Sequence, residues 1–298
     1  MSGDDILLPL AIEKWPILAE TLKKDWPFYA QYYYFVQTAI KWKSKEPVLP
    51  QKIYCPGGDH NSGIFVAISC FAVYNVLLFA HEGFETLLHK AVTETKIIQW
   101  TEGVCFPAVN SRIIPTVYSI IETLKQTKGI EIEWKLPGNC FFKSREKCAA
   151  VEVRVPEGCH LGRIDESHVP LIHSLWPHRN KEHPEQTTKF IMTMVRLNGG
   201  CGLFSRENNE LLSWASQSEL GALSFVQTIE KCKRKGYAKV VVNAFAKELA
   251  ENGVDSFLYI IKENLVSETM FQSLDWKLNH EEEWIKMTET RNKIDLKN

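Results

Sequence analysis

The stretch KCKRKGYAK occupies residues 231–239. It follows the segment ALSFVQT at residues 222–228 and leads into residues 238–252, whose apolar residues have helical spacing. Residues 222–228 predict a strand, and residues 238–252 predict a helix that stops at Gly253. The first turn of a helix leaves backbone N–H groups without partners, and Ser, Thr, Asp or Asn usually supplies the acceptor. None of these four residue types occurs between Lys231 and Lys239.

The same stretch places basic side chains in the first helical turn, where the helix dipole disfavours them. An anion seated on the helix N-terminus explains both the missing cap and the positive charge, and Gly236 allows a close backbone approach to it. A pyrophosphate is the natural candidate. A basic, solvated helix start with a turn glycine is the alternative that the stretch alone leaves open. The basic residues are Lys231, Lys233, Arg234, Lys235 and Lys239.

The sequence around this stretch predicts, in chain order, a strand, two helices, three strands in series, a helix, a strand, a helix and a final strand. The three strands and the helix after them are the clearest part of this pattern. The predicted bounds are residues 151–156, 165–174, 187–197, 202–205, 211–216, 222–228, 238–252, 256–261, 267–273 and 284–287.

This order and two motifs resemble the GNAT superfamily of acyltransferases over residues 159–287. The acyl-CoA loop of that superfamily, R/Q-x-x-G-x-G/A, appears with lysine in first place as Lys233-x-x-Gly236-x-Ala238. Its second signature, N-x-x-[AS]-x-x-L-Y-x-x-x-G-F, is similar to NLVSETMFQSLDW at residues 264–276. The segments LWPHRN at 175–180 and LLSW at 211–214 resemble the glycine N-acyltransferase-like branch, in its two-domain insect type.

The resemblance implies an α+β fold for the C-terminal half: a mixed, mostly antiparallel sheet with a splayed parallel pair of strands, flanked by helices. It implies acyl-CoA or acetyl-CoA as co-substrate and no metal. The implied acceptor residues are His178, Arg179 and Trp214. The implied CoA-binding residues are Phe225, Val226, Gln227, Lys233, Arg234, Lys235, Gly236, Tyr237, Ala238, Asn264, Ser267 and Phe271.

The resemblance also implies direct transfer of the acyl group to a small amine or amino acid, glycine-like in this branch. Phe271 stands where many members have a tyrosine acid, and phenylalanine cannot donate a proton. The position of the branch's glutamate base falls at Ala222, so Glu219 and Ser267 are the candidate catalytic residues. Glu219 either serves as the base or is a solvated turn residue. A protein or peptide N-acetyltransferase and a non-catalytic acyl-CoA-binding protein are the alternatives.

The first half predicts an α/β domain, residues 1–148, with the domain boundary or a linker within residues 141–150 before the GNAT domain, residues 149–298. A degenerate copy of the GNAT fold is one interpretation of it. The uncharged residues 61–80 predict two buried strands rather than a membrane span. The predicted helices are 10–24, 28–43, 82–94 and 115–127, and the predicted strands are 51–54, 64–69, 73–79, 97–100 and 131–134.

The composition of the chain limits the classes of binding partner that it suggests. A net charge of −1 and a pI near 6.8 give no argument for nucleic acid or an anionic membrane as partner. Eight widely spaced cysteines without a C-x-x-C pair predict reduced thiols. Histidines 168, 173, 178 and 183 recur every five residues, which does not bring them together on a helix. We expect a cytoplasmic monomer or homodimer, and a solvated turn for the acidic run at residues 281–283.

Overall fold

The computed structural model describes residues 5–290 as two compact units. Unit 1 is discontinuous: it contains the described residues up to Asn139 and those from His280 onward. Unit 2 is Cys140–Asn279. Residues 1–4 and residues 291–298 lie outside the described part. The units differ from the predicted division after residue 148, because two long strands each carry the chain from one unit into the other. These strands are β6 (Ile130–Lys143) and β12 (Lys277–Glu289).

Unit 1 combines helices with one mixed sheet. Its fourth helix has a proline in the first turn and stops at Gly129, which takes a left-handed φ of 66°. The remaining strands and the helices of this unit are β1 (Leu7–Pro9), α1 (Trp15–Thr21), α2 (Ala30–Lys45), β2 (Lys52–Pro56), β3 (Ile64–Cys70), β4 (Tyr74–Ala80), α3 (Glu85–Glu94), β5 (Val104–Asn110) and α4 (Ile114–Lys128).

The sheet of unit 1 has the order β1-β2-β3-β4-β5-β12-β6. Strands β3 and β4 form an antiparallel pair in which Ile64 lies opposite Ala80. The uncharged residues 61–80 therefore contain two strands, as predicted, and β3 is buried over nearly its whole length. No helix within residues 5–290 is long and apolar enough to cross a bilayer. Strands β4 and β5 run parallel, with Tyr74 paired to Val104 and Asn75 to Cys105.

Alternating side chains of β3 and β4 pack on opposite faces of the sheet, as the period of a strand requires. One face, with Val66 and Leu78, joins a cluster with the apolar sides of α3 and α4. The other face presents Phe65 and Phe79, whose stacked rings lie 5.0 Å apart and meet Tyr32 of α2. Because both faces of these strands are buried, their sequences are continuously apolar rather than alternating between apolar and polar residues.

The acidic run at residues 281–283 lies within strand β12, so the prediction of a solvated turn is wrong. Glu282 pairs in register with Asn110 of β5, and its side chain is 3% exposed. Glu283 is 7% exposed and accepts a 2.8 Å hydrogen bond from the hydroxyl of Tyr118. Glu282 Oε2 has no hydrogen-bond partner among the described residues. Its burial, with the charge of Glu283 nearby, raises the pKa of Glu282 to about 8.

Unit 2 contains the segment that the sequence singles out. The helix after that segment runs to Glu251 and is followed by Gly253 with φ 77°. The strands and helices of this unit, besides the ends of β6 and β12, are α5 (Arg145–Ala149), β7 (Cys159–Arg163), α6 (Val169–Leu175), α7 (Pro184–Asn198), β8 (Gly200–Ser205), β9 (Leu211–Gln217), β10 (Leu223–Thr228), α8 (Tyr237–Glu251), β11 (Ser256–Ile261) and α9 (Leu265–Gln272).

Strands β10, β9, β8 and β7 form an antiparallel sheet in that order, and β11 instead pairs with β6. The core of unit 2 is built between this sheet and the helices around it. Val241 and Phe245 of α8, together with Ile191 of α7, belong to the same buried cluster as Leu203 and Trp214 of the sheet. This packing fixes the position of α8, and hence of its first turn, next to the edge strand β10.

Three predictions of local structure in this region and in unit 1 are wrong. Residues 141–150 are not a linker: Phe141 is buried in β6, and Ser144 caps α5 by accepting from the N–H of Lys147 at 3.4 Å. Residues 151–156 form no strand. The strand expected at 97–100 is absent, and strand β5 follows instead at Val104–Asn110, where Pro107 hides the strand pattern.

Candidate functional site

Helix α8 starts without a side-chain cap. Gly236 precedes the helix with φ 78°, a left-handed conformation that favours glycine, and no side chain accepts from the first-turn amides. A Cβ atom added at Gly236 would meet no heavy atom within 4 Å. The space beside Gly236 is therefore open.

The backbone N–H groups at this helix start have no protein acceptor. The first bond of the helix runs from the N–H of Val240 to the carbonyl of Gly236, at 3.3 Å. Within residues 5–290, no hydrogen bond involves an amide N–H of residues 234–239. Unpaired N–H groups and the helix dipole together provide a site for an anion.

The basic side chains of the segment divide into paired and unpaired ones. Lys231 Nζ lies 2.7 Å from a carboxylate oxygen of Glu210, which raises the pKa of Lys231. Lys233 Nζ lies 2.6 Å from Glu230, its neighbour in the preceding 3₁₀ turn. Two further cations, Arg234 and Lys235, are exposed and make no ion pair in the described part of the chain. Their charge is thus available to a ligand.

Lys239 and Tyr237, at the end of the segment, also have defined contacts. Lys239 Nζ donates to the hydroxyl of Ser273 at 2.9 Å, which joins the start of α8 to the end of α9. The half-buried side chain of Tyr237 approaches Cys159 of β7, with 3.9 Å between Sγ and the hydroxyl oxygen. That contact and burial raise the pKa of Tyr237. Ala238 is half-buried.

Strand β10 is the edge of its sheet and carries a bulge. Its register on β9 shifts between Ser224, opposite Ser216, and Gln227, opposite Trp214. Within the bulge Phe225 has a φ of 56°, which costs a bulky residue about 1–2 kcal/mol. Phe225 and Val226 consequently have no register partner on β9. Gln227 does, and its carbonyl accepts a 2.8 Å bond from the hydroxyl of Ser213.

Strands β10 and β11 belong to different sheets, so no ladder joins them in the described residues. The edge of β10 that does not pair with β9 thus presents free backbone groups next to the start of α8. This is the separation of strands that the sequence predicted. A bulged, open edge beside an uncapped helix can hold an extended amide-containing chain whose end carries phosphate.

Glu219 lies in the turn between β9 and β10 and is only 4% exposed. The turn is closed by a bond from the N–H of Gly221 to the carbonyl of Ser218, at 3.0 Å. Asn198 braces it by donating to the carbonyls of Gln217 and Ser218. Burial excludes the alternative that Glu219 is a solvated turn residue.

Helix α9 begins with a conventional cap. The side chain of Asn264 accepts from the N–H of Ser267 at 3.2 Å, and Ser267 is half-buried. Phe271 is 5% exposed and packs edge-on against Trp276, with 5.5 Å between ring centroids. Asp275, at the position of the family glycine, has a φ of 63°, so the turn keeps its left-handed geometry.

The three predicted acceptor residues are not equivalent. The ring of His178 lies 6.2 Å from that of Trp176. The guanidinium of Arg179 donates to the carbonyl of Trp176 at 2.8 Å, so one of its N–H groups is already engaged. Trp214 is fully buried in the core. Its packing there gives it a structural role, and contact with an acceptor remains a prediction.

A cluster of three rings was missed by the sequence reasoning. Trp176, Phe190 and Phe225 come together with centroid distances of 5.3–6.1 Å and form the ring cluster of unit 2. Each of the three is half-buried. The sequence holds one signal of it, the apolar residues of α7 in helical spacing, but the bulge that turns Phe225 to the cluster has no sequence signature.

Comparisons with family models give two partial matches. The model described as FR47-like protein matches residues 200–285, which include β8 to β11 and α8. A domain of unknown function, DUF5645, matches residues 6–120 of unit 1. No curated protein sequence matches the chain.

Solved structures resemble most or nearly all of the chain. A Drosophila protein is 20% identical, with a TM-score of 0.84 over 96% of this chain and 99% of that one. A tandem GNAT protein from the clavulanic acid biosynthesis pathway is 13% identical, with a TM-score of 0.55 over 95% of this chain and 98% of that one. A GCN5-related N-acetyltransferase from Kribbella flavida is 6% identical, with a TM-score of 0.50 over 76% and 87%.

At these identities the likenesses show the fold. They confirm the predicted α+β architecture and identify the N-terminal half as a second GNAT-like unit. The separated strands β10 and β11 and the loop before α8 lie in the region that the FR47-like model matches. The chain thus has the tandem GNAT fold, with an FR47-like region in its C-terminal unit.

Proposed function

We propose that the protein is an acyl-CoA-dependent N-acyltransferase that transfers an acyl group directly from the CoA thioester to a small amine or amino acid. One observation carries the proposal: the open, uncapped start of α8, whose amides lack protein acceptors and whose Arg234 and Lys235 lack ion-pair partners in the described residues. An anion with several oxygens, such as a diphosphate, would satisfy these donors together.

In this proposal the amides of residues 234–239 bind the CoA diphosphate, and Arg234 and Lys235 neutralise its charge. The backbone of Phe225 and Val226 on the open edge of β10 holds the pantetheine arm by hydrogen bonds. Asn264 and Ser267, at the start of α9, are the further proposed contacts. The cysteamine end then lies near the β10 bulge, where an N–H group can stabilise negative charge on the thioester oxygen.

The reaction needs one proton acceptor. The amine nitrogen attacks the thioester carbon, the C–N bond forms, and the C–S bond breaks with the electron pair leaving on sulfur. Glu219 takes the proton from the amine, and the thiolate collects a proton from solvent. Positioning of the amine supplies much of the rate, because the transfer is direct. The burial of Glu219 in a braced turn supports its role as base.

We propose acceptor contacts for His178 and Arg179, which lie beside the half-buried Trp176. The remaining N–H groups of Arg179 suit a carboxylate of an amino-acid acceptor. A glycine-like acceptor, as the sequence resemblance implies, is the simplest substrate of this kind. We propose no metal in the reaction.

A non-catalytic acyl-CoA-binding protein is the second candidate, and Phe271 favours it. The ring is buried against Trp276, so neither its chemistry nor its position provides an acid for the leaving thiolate. Thiolate is a fair leaving group, and a transferase can dispense with that acid.

The test measures CoA release from acetyl-CoA, corrected for hydrolysis, over a panel of small amines and amino acids including glycine. Amine-dependent release, with amide product identified by mass, supports the transferase. Tight acetyl-CoA binding by calorimetry with no amine-dependent release would favour the binding protein. Absence of both CoA binding and release would remove the proposal.

A further inference from the structure

The turn between β9 and β10 is buried, although most turns of proteins lie at the surface. Glu219 is 4% exposed and Leu220 is 5% exposed, and Ala222 is fully buried. The backbone closes the turn, since the N–H of Ser218 donates to the carbonyl of Ala222 at 2.8 Å. Burial of a carboxylate costs free energy, which the contacts that hold the turn have to offset.

Asn198, the last residue of α7, holds this turn from outside the β9–β10 hairpin. It is 9% exposed, and its Nδ2 donates to the carbonyl of Gln217 at 3.0 Å and to that of Ser218 at 3.1 Å. A primary amide carries two N–H donors on one nitrogen, which matches these two neighbouring carbonyls. The turn is therefore anchored to α7 as well as closed by its own backbone.

The bond from Asn198 to Ser218 bears directly on Glu219. The carbonyl of Ser218 belongs to the peptide unit that joins Ser218 to Glu219, and a peptide unit is planar. Holding that oxygen therefore restricts rotation of the plane from which the Cα atom of Glu219 and its side chain project. The N–H of Gly221 donates to the same oxygen at 3.0 Å. Two donors thus fix the peptide unit that carries the carboxylate.

Neighbouring hydrogen bonds join the same helix end and hairpin. The hydroxyl of Ser216 donates to the carbonyl of Gly199, the residue after Asn198, at 2.6 Å. The side-chain amide of Gln217 donates to the carbonyl of Gly221 at 2.7 Å. Because these bonds do not depend on Asn198, loss of its amide should loosen the adjoining peptide unit rather than unfold the hairpin.

We propose that Asn198 is a positioning residue for acyl transfer: its side-chain amide fixes the peptide unit before Glu219 and so directs the carboxylate toward the amine. This inference rests on the proposed function, in which Glu219 is the base, and it adds the group that orients that base. Asn198 itself contacts neither substrate nor cofactor in this proposal. A base must lie within hydrogen-bond reach of the proton, and a misplacement of about 1 Å can cost about 100-fold in rate.

The experiment uses the full chain with acetyl-CoA and glycine, or ethylamine if glycine is not a substrate. Asn198→Asp keeps the shape of the side chain, but an ionised carboxylate cannot donate, whereas Asn198→Gln keeps both donors. Asn208→Asp makes the same chemical change in the exposed turn after β8 and is the first control. Thr193→Val is the second control, because it removes a hydrogen bond within α7, from the Thr193 hydroxyl to the carbonyl of Lys189 at 2.9 Å.

We expect Asn198→Asp to lower kcat by about 10- to 100-fold, while the KM for acetyl-CoA changes by less than about 2-fold. Asn198→Gln should lose at most about 5-fold in kcat, because its amide can still reach the two carbonyls. Both controls should keep kcat within about 2-fold of the unaltered chain. Full kcat in Asn198→Asp, or an equal loss in Thr193→Val, would overturn the inference.

A double variant tests whether the effect of Asn198 passes through Glu219. In the Glu219→Gln background, Asn198→Asp should lower the residual turnover by no more than about 2-fold, because the base that it positions is already removed. The same fold loss in both backgrounds would mean that Asn198 only supports the fold, and the inference would be wrong.

Failure of the proposed function gives a different pattern. Full turnover in Glu219→Gln would remove Glu219 as the base, and the positioning role of Asn198 with it. If neither amine is a substrate, crystal structures of the unaltered chain and of Asn198→Asp decide. A shift of the Glu219 carboxylate by about 1 Å or more supports the positioning role, whereas an unmoved carboxylate overturns it. Asn198→Ala replaces Asn198→Asp if circular dichroism shows that the latter unfolds.

Discussion

Each unit passes from a strand into a helix at a corresponding point of its topology, and the two strand-to-helix connections differ. In unit 1 four residues, His81 to Phe84, separate β4 from α3, and in unit 2 residues 229–236 separate β10 from α8. Both connections contain a glycine with positive φ, 88° at Gly83 and 78° at Gly236, and both helices lack a side-chain cap. A missing cap and a glycine are thus not sufficient for an anion site.

Charge and strand separation make the difference. The connection in unit 1 contains Glu82 and no Lys or Arg, and its strand β4 pairs with β5. The connection in unit 2 has the unpaired cations Arg234 and Lys235, and β10 has an open edge. A fold repeated in one chain can therefore keep its topology while only one copy has the features of a ligand site.

The strongest test of this difference between the two units is the Gly236→Glu variant, with Gly83→Glu as its matched control. A Cβ atom meets nothing within 4 Å at either glycine, so both variants have similar backbone strain and no clash. At Gly236 the carboxylate occupies the proposed diphosphate site, and we expect acetyl-CoA affinity to fall by at least about 100-fold. Calorimetry should show unchanged affinity for Gly83→Glu. Equal affinities for the two variants would mean that the CoA site is elsewhere.

The turns before the two strands give a second test, because the β3–β4 turn of unit 1 has no carboxylate, whereas the β9–β10 turn of unit 2 has Glu219. We expect Glu219→Gln to lower turnover at neutral pH by about 100-fold, since the amide cannot accept the amine proton. Affinity for acetyl-CoA should change little. Glu207→Gln, in the exposed turn after β8, is the control and should keep full turnover. Normal turnover in Glu219→Gln would exclude it as the base.

The buried Glu282 on β12 of unit 1 has a raised pKa, which predicts a pH effect on stability. The folded pKa of Glu282 is raised from 4.5 to about 8, so its favourable contribution is complete below 4.5 and is lost as pH rises to about 8. The pKa of His280 is lowered from 6.5 to about 4 by burial, so its contribution is lost only as pH falls below 6.5. The interval from pH 6.5 to 8 isolates Glu282.

Over that interval the free energy of unfolding should fall by at most about 2 kcal/mol, because one proton is lost more readily from the unfolded chain. Urea titrations followed by circular dichroism measure the slope. Glu282→Gln should abolish it, whereas Glu281→Gln, at an exposed position of the same strand, should retain it. A slope that survives in Glu282→Gln would assign the effect to another group.

The smallest expected effect concerns the basic side chains of unit 2 and tests whether those without ion-pair partners contribute most to acetyl-CoA binding. Removing the unpaired cations with a double Arg234→Ala, Lys235→Ala substitution should weaken acetyl-CoA binding by about 10-fold, and more at low salt. Lys231→Ala removes a cation already paired with Glu210, and its effect should be about 2-fold or less. Equal losses would show that binding follows total charge rather than the free cations.

Sequence reasoning predicted the fold class and the uncapped start of α8, but not every element around them. The absence of Ser, Thr, Asp and Asn at 231–239 predicted an uncapped helix start, and the structure has one at Gly236. Strand β5 was missed because Pro107 interrupts its pattern, and the acidic run in β12 was misplaced because charge runs usually face solvent. The ring cluster depends on a bulge and on contacts between distant elements, which no local pattern encodes. The roles of the predicted site residues and the cytoplasmic location stay predictions.

The path of the chain through β6 and β12 has a practical consequence for dissection of the protein. A fragment that ends before His280 would lose the strand between β5 and β6 of unit 1. A fragment that begins after residue 148 would lose the β6 partner of β11. Either cut exposes unpaired strand edges, which favour aggregation. Separate expression of the halves is therefore a poor route to assigning their activities, and point variants in the intact chain are the better one.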